Sequence, residues 1–184
     1  MARIAYPDPE AMPADVRQFF DRIQPKLNIY RMLPHAETSL YGFMKLGNAL
    51  LFKAELDPIL RELVILRVGY LSEADYEVHQ HLVVAAHVGV PPEKIAGTRE
   101  GPDAPVYSEL ERAVLQFTDE VVRDVKASDA AYTAVAKHLS HREISELLLT
   151  IGFYMMVCRF LENLEVELEE AGQVDQTLNL PPRR

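Results

Sequence analysis

The sequence predicts an all-α protein, and three observations carry that reading. Trp is absent from the 184 residues, Gly numbers only 8 and aromatic content is 8%, which disfavours a many-turned β architecture. Apolar residues recur at helical spacing along most of the chain. Two stretches, Ser108 to Glu111 and Ser140 to Glu143, match the capping box, in which Ser and Glu satisfy orphan amides at a helix start. At 48% hydrophobic and 26% charged, the chain holds apolar material for one ordinary core, so a single domain over residues 1–184 is expected.

Taken in order, Pro7, Pro9 and Pro13 remove backbone donors, and residues 1–13 read as an extended arm on the surface. Val16, Phe19, Phe20 and Ile23 mark a first helix, which Pro25 stops, and a loop is expected over 26–34. Leu40, Phe43, Met44, Gly47, Leu50 and Leu51 keep a helical period within 35–52. Asp57 and Pro58 then open a helix as N-cap and first helical residue, running to about Tyr70. Ser72 and Asp75 start another, which Gly89 ends, and Pro91, Pro92 and Glu93 can start a short one. Residues 97–105, with two Gly and two Pro, read as a surface loop. Further helices are expected over 108–125, 129–138 and 141–171, followed by a loosely held tail over 172–184.

Charge and cysteine usage narrow the function classes. A net charge of -9 and a pI near 5.1 repel phosphate backbones and anionic membranes, so neither nucleic acid nor membrane is an expected partner. The first residues carry no apolar segment of the export type, and a cytoplasmic location is expected. The longest apolar run, 147–158, falls short of the roughly 20 residues a bilayer asks for and reads as a buried helix. It contains the one cysteine, Cys158, which cannot form a disulfide or a dithiol cycle within the chain and reads as a packing residue. Glu162, Glu165, Glu167, Glu169 and Glu170 read as a solvated helix face.

The residues that could carry chemistry cluster in 61–90. If two helices meet in a tight turn near Ser72, Glu62 and His81 each stand roughly 13 to 14 Å of helical rise from it, so an antiparallel hairpin brings them level. Ala74, Val78, His81, Ala85 and Val88 form one seam, and Glu62 lies among Ile59, Ile65, Leu66 and Gly69. Two polar groups aimed at a core need partners. A Glu62 to His81 hydrogen bond is the economical solution, with Glu77, one turn before His81, as a second partner. A satisfied structural pair would give the same pattern. The crowding of Tyr76, Glu77, His79, Gln80 and His81 into a few turns favours a site. Arg31 and Arg67 are candidates to hold a substrate carboxylate, although helical Arg also makes ordinary ion pairs. No closed ligand set stands out, and neither metal nor cofactor is expected.

The pattern Arg61-Glu-Leu-Val-Ile-Leu-Arg-Val, then Tyr76-Glu-Val-His-Gln-His81 and Gly89-Val, resembles the core motif of the carboxymuconolactone decarboxylase and alkylhydroperoxidase D-like superfamily. The stretches 27–35 and 149–157 resemble regions flanking that core in a cysteine-poor subgroup. The resemblance implies a helical bundle built around an antiparallel hairpin, and homo-oligomers such as a dimer, trimer or hexamer. It places the family's Glu and His at Glu62 and His81, and its two redox cysteines at Ala74 and Glu77, which supply no sulfur. The implied activity is a cysteine-independent lyase or isomerase of small carboxylated or lactone substrates. In it, His81 is the acid or base, Glu62 its orienter, Tyr76 and Glu77 further catalytic groups, and His79, Gln80, Arg31 and Arg67 substrate contacts. The alternatives are a peroxidase-type oxidoreductase and a non-catalytic, oligomeric ligand-binding protein.

Overall fold

Helix α4, Pro58–Leu71, is the axis on which the rest is built. It starts where Asp57 accepts hydrogen bonds from the amides of Ile59 and Leu60 at 2.8 and 3.1 Å, with Pro58 preset for the first turn. Residues Leu60 to Gly69 are all buried, so α4 is enclosed on every side rather than amphipathic. It packs on α5 (Asp75–Val88), α7 (Glu109–Asp124) and α9 (His141–Leu164). The computed structural model describes residues 1–24 and 26–169, and no strand occurs among them. The stop expected at Pro25 and the tail over 172–184 lie outside the described residues.

The remaining helices wrap this centre. They are α1 (Ala14–Arg22), α2 (Asn28–Met32), α3 (Glu37–Phe52), α6 (Pro92–Gly97) and α8 (Asp129–Ala136). Both capping boxes form, at Ser108 with Glu111 and at Ser140 with Glu143. The expected loop over 26–34 is instead largely helical, since α2 runs into a 3-10 turn, Leu33–Ala36. No capping signal announces α2. It is held by burial of Ile29, Met32 and Leu33, each such side chain contributing about 1.5 to 3 kcal/mol.

α4 and α5 form the antiparallel hairpin, turning through Glu73, whose φ of 52° is left-handed. At Gly69 the two helices approach so closely that a Cβ would stand 2.9 Å from Val78 Cγ2. A side chain there would force Val78 to give way in the hairpin that sets Glu62 level with His81.

α9 ends at Leu164 rather than near 171. Glu165 turns left-handed at φ 50°, and the amide of Val166 closes back onto the Leu161 carbonyl at 3.0 Å. At 24 residues α9 is long and apolar enough to span a bilayer, longer than its apolar run alone implied, and half of its apolar window is buried inside the fold. Beyond it the chain runs back along the N-terminal arm. Arg3 pairs with Glu165 at 2.8 Å and the Met1 amine with Glu167 at 3.2 Å. The acidic run is therefore a clasp in its described part, with only Glu162 on the helix; Glu170 lies outside the described residues.

Candidate active site

Buried helical residues on α5 recur as Tyr76, Glu77, Gln80, His81 and Val84, so one face of that helix carries four polar groups inward. They line a largely apolar cavity of about 440 Å³, closed by Leu27, Ile29, Phe43, Met44, Phe153 and Val157 and opening past Arg22 and Phe52. This is the shape of a small-molecule site, with apolar walls and a few convergent polar groups.

A chain of charges runs from the core to the cavity wall. Arg61 Nε donates to Glu62 Oε1 at 2.9 Å, and its Nη1 donates to the Leu51 carbonyl at 2.8 Å. Glu62 is fully buried, and its Oε2 lies 2.6 Å from His81 Nδ1. On the far side of the ring, Nε2 faces Glu77 Oε1 at 3.0 Å, a close ion pair rather than an aligned hydrogen bond. Glu77 Oε1 is thus a buried acceptor with no aligned donor among the described residues.

Burial alone would push the His81 imidazole pKa down. The charges of Glu62 and Glu77 overcome it and carry the group up to about 10, so His81 is an imidazolium at neutral pH. For Glu62, burial is likewise overcome by His81 and Arg61, and its carboxyl titrates below the ordinary range. His81 is therefore a proton donor. Glu77 is the carboxylate that faces it across the ring on the cavity side.

The other expected contacts divide. Gln80 and Tyr76 line the cavity, and both donate to Glu169, at 2.5 Å in the case of the Tyr76 hydroxyl. Glu169 also accepts from the Asn28 amide at 2.6 Å, tying the C-terminal clasp to the wall of the site. Tyr76 spends its one proton there, and burial followed by Glu169 raises its pKa far above the ordinary phenol value.

His79, Arg31 and Arg67 are not brought to the cavity. His79 is two helical steps from His81, on nearly the opposite face, and is exposed. Arg31 is exposed on α2, 4.5 Å over the Tyr6 ring and bonded to Asn28 Oδ1 at 3.0 Å. Arg67 lies about 140° around α4 from Glu62. It grips Asp119 with two hydrogen bonds, at 2.6 and 2.7 Å, and the carbonyls of Thr98 and Arg99 at 3.1 and 3.0 Å.

Two groups were not anticipated as parts of the site, Arg61 and Glu169; Tyr154, which the sequence reads as a core residue within reach of a site, lines the cavity. The Tyr154 ring stands edge-on to His81 with centroids 5.0 Å apart. Arg61 had the available signal of a cation beside the candidate Glu62. Ala74, at one position the resemblance gives to a thiol, is the N-cap residue of α5, while Glu77, at the other, lines the cavity. Among the described residues, no cluster of three His, Cys, Asp or Glu side chains is placed to hold a metal ion.

Residues 38–120, which carry Glu62, Glu77 and His81, match the model of the carboxymuconolactone decarboxylase family. The match covers 83 of the 184 residues, just under half of the chain, and takes in the whole α4 and α5 hairpin. Among proteins of known sequence, the uncharacterized protein YnjA of Escherichia coli K12 is 24% identical over 115 residues, which span 62% of this chain and 63%, under two thirds, of that protein. A peroxidase-related protein of Ralstonia eutropha JMP134 with an alkylhydroperoxidase AhpD core superposes with a TM-score of 0.78 at 19% identity, over 92% of this chain and 93% of that one. The debrominase Bmp8, bound to 2,3,4-tribromopyrrole, superposes at 0.73 and 15% identity over 93% and 95%. At these identities the likeness to the solved structures is one of fold. A peroxidase-related protein and a debrominase thus share this bundle.

Proposed function

We propose that the cavity is an active site in which Glu77 and His81 move a proton at a carbon beside a carbonyl. This makes the protein a cysteine-independent lyase or isomerase of small lactone-like or carboxylated substrates. The observation that carries the reading is the His81 ring held between two carboxylates at the wall of an apolar cavity. Glu77 takes the α-proton, the C–H electron pair becomes the enolate double bond, and the carbonyl pair moves onto oxygen. The proton then returns at the same carbon or, in a conjugated system, at a different one, with the His81 imidazolium lowering the cost of the developing charge. Loss of carbon dioxide from a β-keto or vinylogous acid reaches the same enolate. Arg22, exposed at the cavity rim and without an ion pair among the described residues, replaces Arg31 and Arg67 as the cation for a substrate carboxylate.

A thiol mechanism finds less support. Cys158 is buried outside the cavity lining, and burial followed by the charge of Glu77 pushes its pKa up to about 12, away from the thiolate that attack on peroxide requires.

α-Angelica lactone in D2O tests the proposal by NMR. Wild-type protein is expected to speed deuterium entry at its α-carbon and migration of its double bond, and Glu77→Gln to remove the effect. Exchange no faster than in buffer would falsify the reading.

A further inference from the structure

We propose that Tyr154 is a further catalytic residue, its hydroxyl donating to the substrate's carbonyl oxygen and holding the enolate charge that forms there. The inference rests on the proton-transfer reading above and adds the electrophilic half that Glu77 and His81 leave unfilled. Proton abstraction beside a carbonyl puts negative charge on oxygen, several bonds from the base, and a donor already aimed at that oxygen supplies much of the acceleration.

The cavity contains three phenols, and their hydroxyls are not equivalent. Tyr76 gives its proton to Glu169. No hydrogen bond engages the Tyr30 or Tyr154 hydroxyl among the described residues, and neither is one of the fully buried unpaired atoms, which are Tyr6 Oη, Glu77 Oε1 and Gln80 Oε1. Tyr154 is 4% exposed, and Phe153 beside it shows that the position's neighbour manages without a hydroxyl. Tyr154 lines the cavity, so its hydroxyl is open to a ligand's acceptor, and a ligand that desolvated it without accepting its proton would lose about 1 to 3 kcal/mol. Burial, and next the charge of Glu77, keep the Tyr154 phenol protonated well above its ordinary range, which preserves it as a donor.

Position separates Tyr154 from Tyr30. Tyr154 sits mid-way along α9, with its ring edge-on both to His81 at 5.0 Å and to Phe153 at 5.4 Å. These contacts fix the ring beside the proton-transfer groups. Tyr30 belongs to the five-residue α2. Tyr154 also lies outside residues 38–120, so the assignment adds a catalytic group from α9 to the proton-transfer groups Glu77 and His81 inside the family-matched stretch.

Coumarin provides the test, being a neutral lactone with no sp3 α-proton to lose. Bound to wild-type protein, its carbonyl stretch is expected to fall and its carbonyl 13C signal to move downfield. Tyr154→Phe is expected to abolish both changes, weaken binding about tenfold, the worth of one hydrogen bond, and slow exchange on α-angelica lactone. Glu77→Gln is expected to abolish exchange while keeping the carbonyl changes. If Tyr154→Phe leaves the carbonyl signals unmoved, or Tyr30→Phe removes them instead, the assignment to Tyr154 is overturned while proton transfer by Glu77 stands. If wild-type protein neither binds coumarin nor exchanges α-angelica lactone, the proton-transfer reading fails and takes this inference with it.

Discussion

Helix α4 buries two arginine and carboxylate clusters about six residues apart, and they are built to opposite ends. Around Arg67, both carboxylate oxygens of Asp119 are taken and Nη1 reaches two carbonyls, with Arg123 adding a 3.2 Å contact to Asp119. Around Glu62, the chain Arg61, Glu62, His81 is equally tight until it reaches Glu77, where Oε1 lacks an aligned donor and the cavity begins. A buried polar group with every bond made is doing structural duty. One that ends in an open acceptor beside an apolar cavity is able to bond a ligand, as the proposed proton transfer requires. The difference between these clusters is therefore a functional signal that burial alone does not give.

Mutation separates them most sharply where the effects are largest. Glu77→Gln keeps shape but removes the base, and proton exchange on α-angelica lactone is expected to fall roughly 10²- to 10⁴-fold with thermal stability little changed. Arg67→Met should do the reverse. It leaves Asp119 charged and buried without its main partner, an expected loss of about 3 to 5 kcal/mol in urea unfolding, while the exchange rate per folded molecule is retained. A variant at Arg67 that stayed stable but lost exchange would merge the two clusters into one site.

Their legibility in sequence differs for the same reason. Glu62, Glu77 and His81 are legible because helical rise and a short turn are local quantities, and a hairpin converts sequence distance into spatial level without further information. Arg67 is not, since Asp119 is 52 residues away and only the packing of α7 on α4 brings them together. Tyr154 belongs to a helix whose existence the capping box at Ser140 announces, yet its rotation towards the cavity depends on how α9 sits against α4 and α5. Glu169 is hidden by the chain reversal at Glu165, a left-handed turn made without the glycine that would mark it. In the same way, α2 carries no capping residue that would distinguish it from a loop.

The pH dependence of stability should follow the open cluster. His81 has an unfolded value near 6.5 and a folded value near 10, so the native state binds its proton more tightly than the unfolded chain does. That contribution is fully present below pH 6.5 and is lost as pH rises towards 10, at up to about 1.4 kcal/mol per pH unit. Unfolding curves between pH 6.5 and 10 should show the decline in wild-type protein and a flatter line in His81→Gln. Arg67→Met should lower the whole curve but keep the slope, and a slope that vanished with Arg67 would contradict the separation.

The smallest effect tests how rigid the saturated cluster is. Gly89 and Gly101 both have left-handed backbones, φ 94° and 92°, so Ala at either carries a strain of about 1 kcal/mol. Around Gly89 a Cβ would meet nothing within 4 Å, whereas at Gly101 it would stand 2.6 Å from Arg67 Cζ and Nη2. A guanidinium at the end of a flexible side chain can usually move aside cheaply, but this one is fixed by four hydrogen bonds and cannot shift without giving some of them up. Gly101→Ala should therefore cost at least about 1 kcal/mol more than Gly89→Ala in paired denaturation curves, one lost hydrogen bond being worth about that much. Equal costs would mean that the guanidinium moves freely, and that Arg67 has slack its tight geometry conceals.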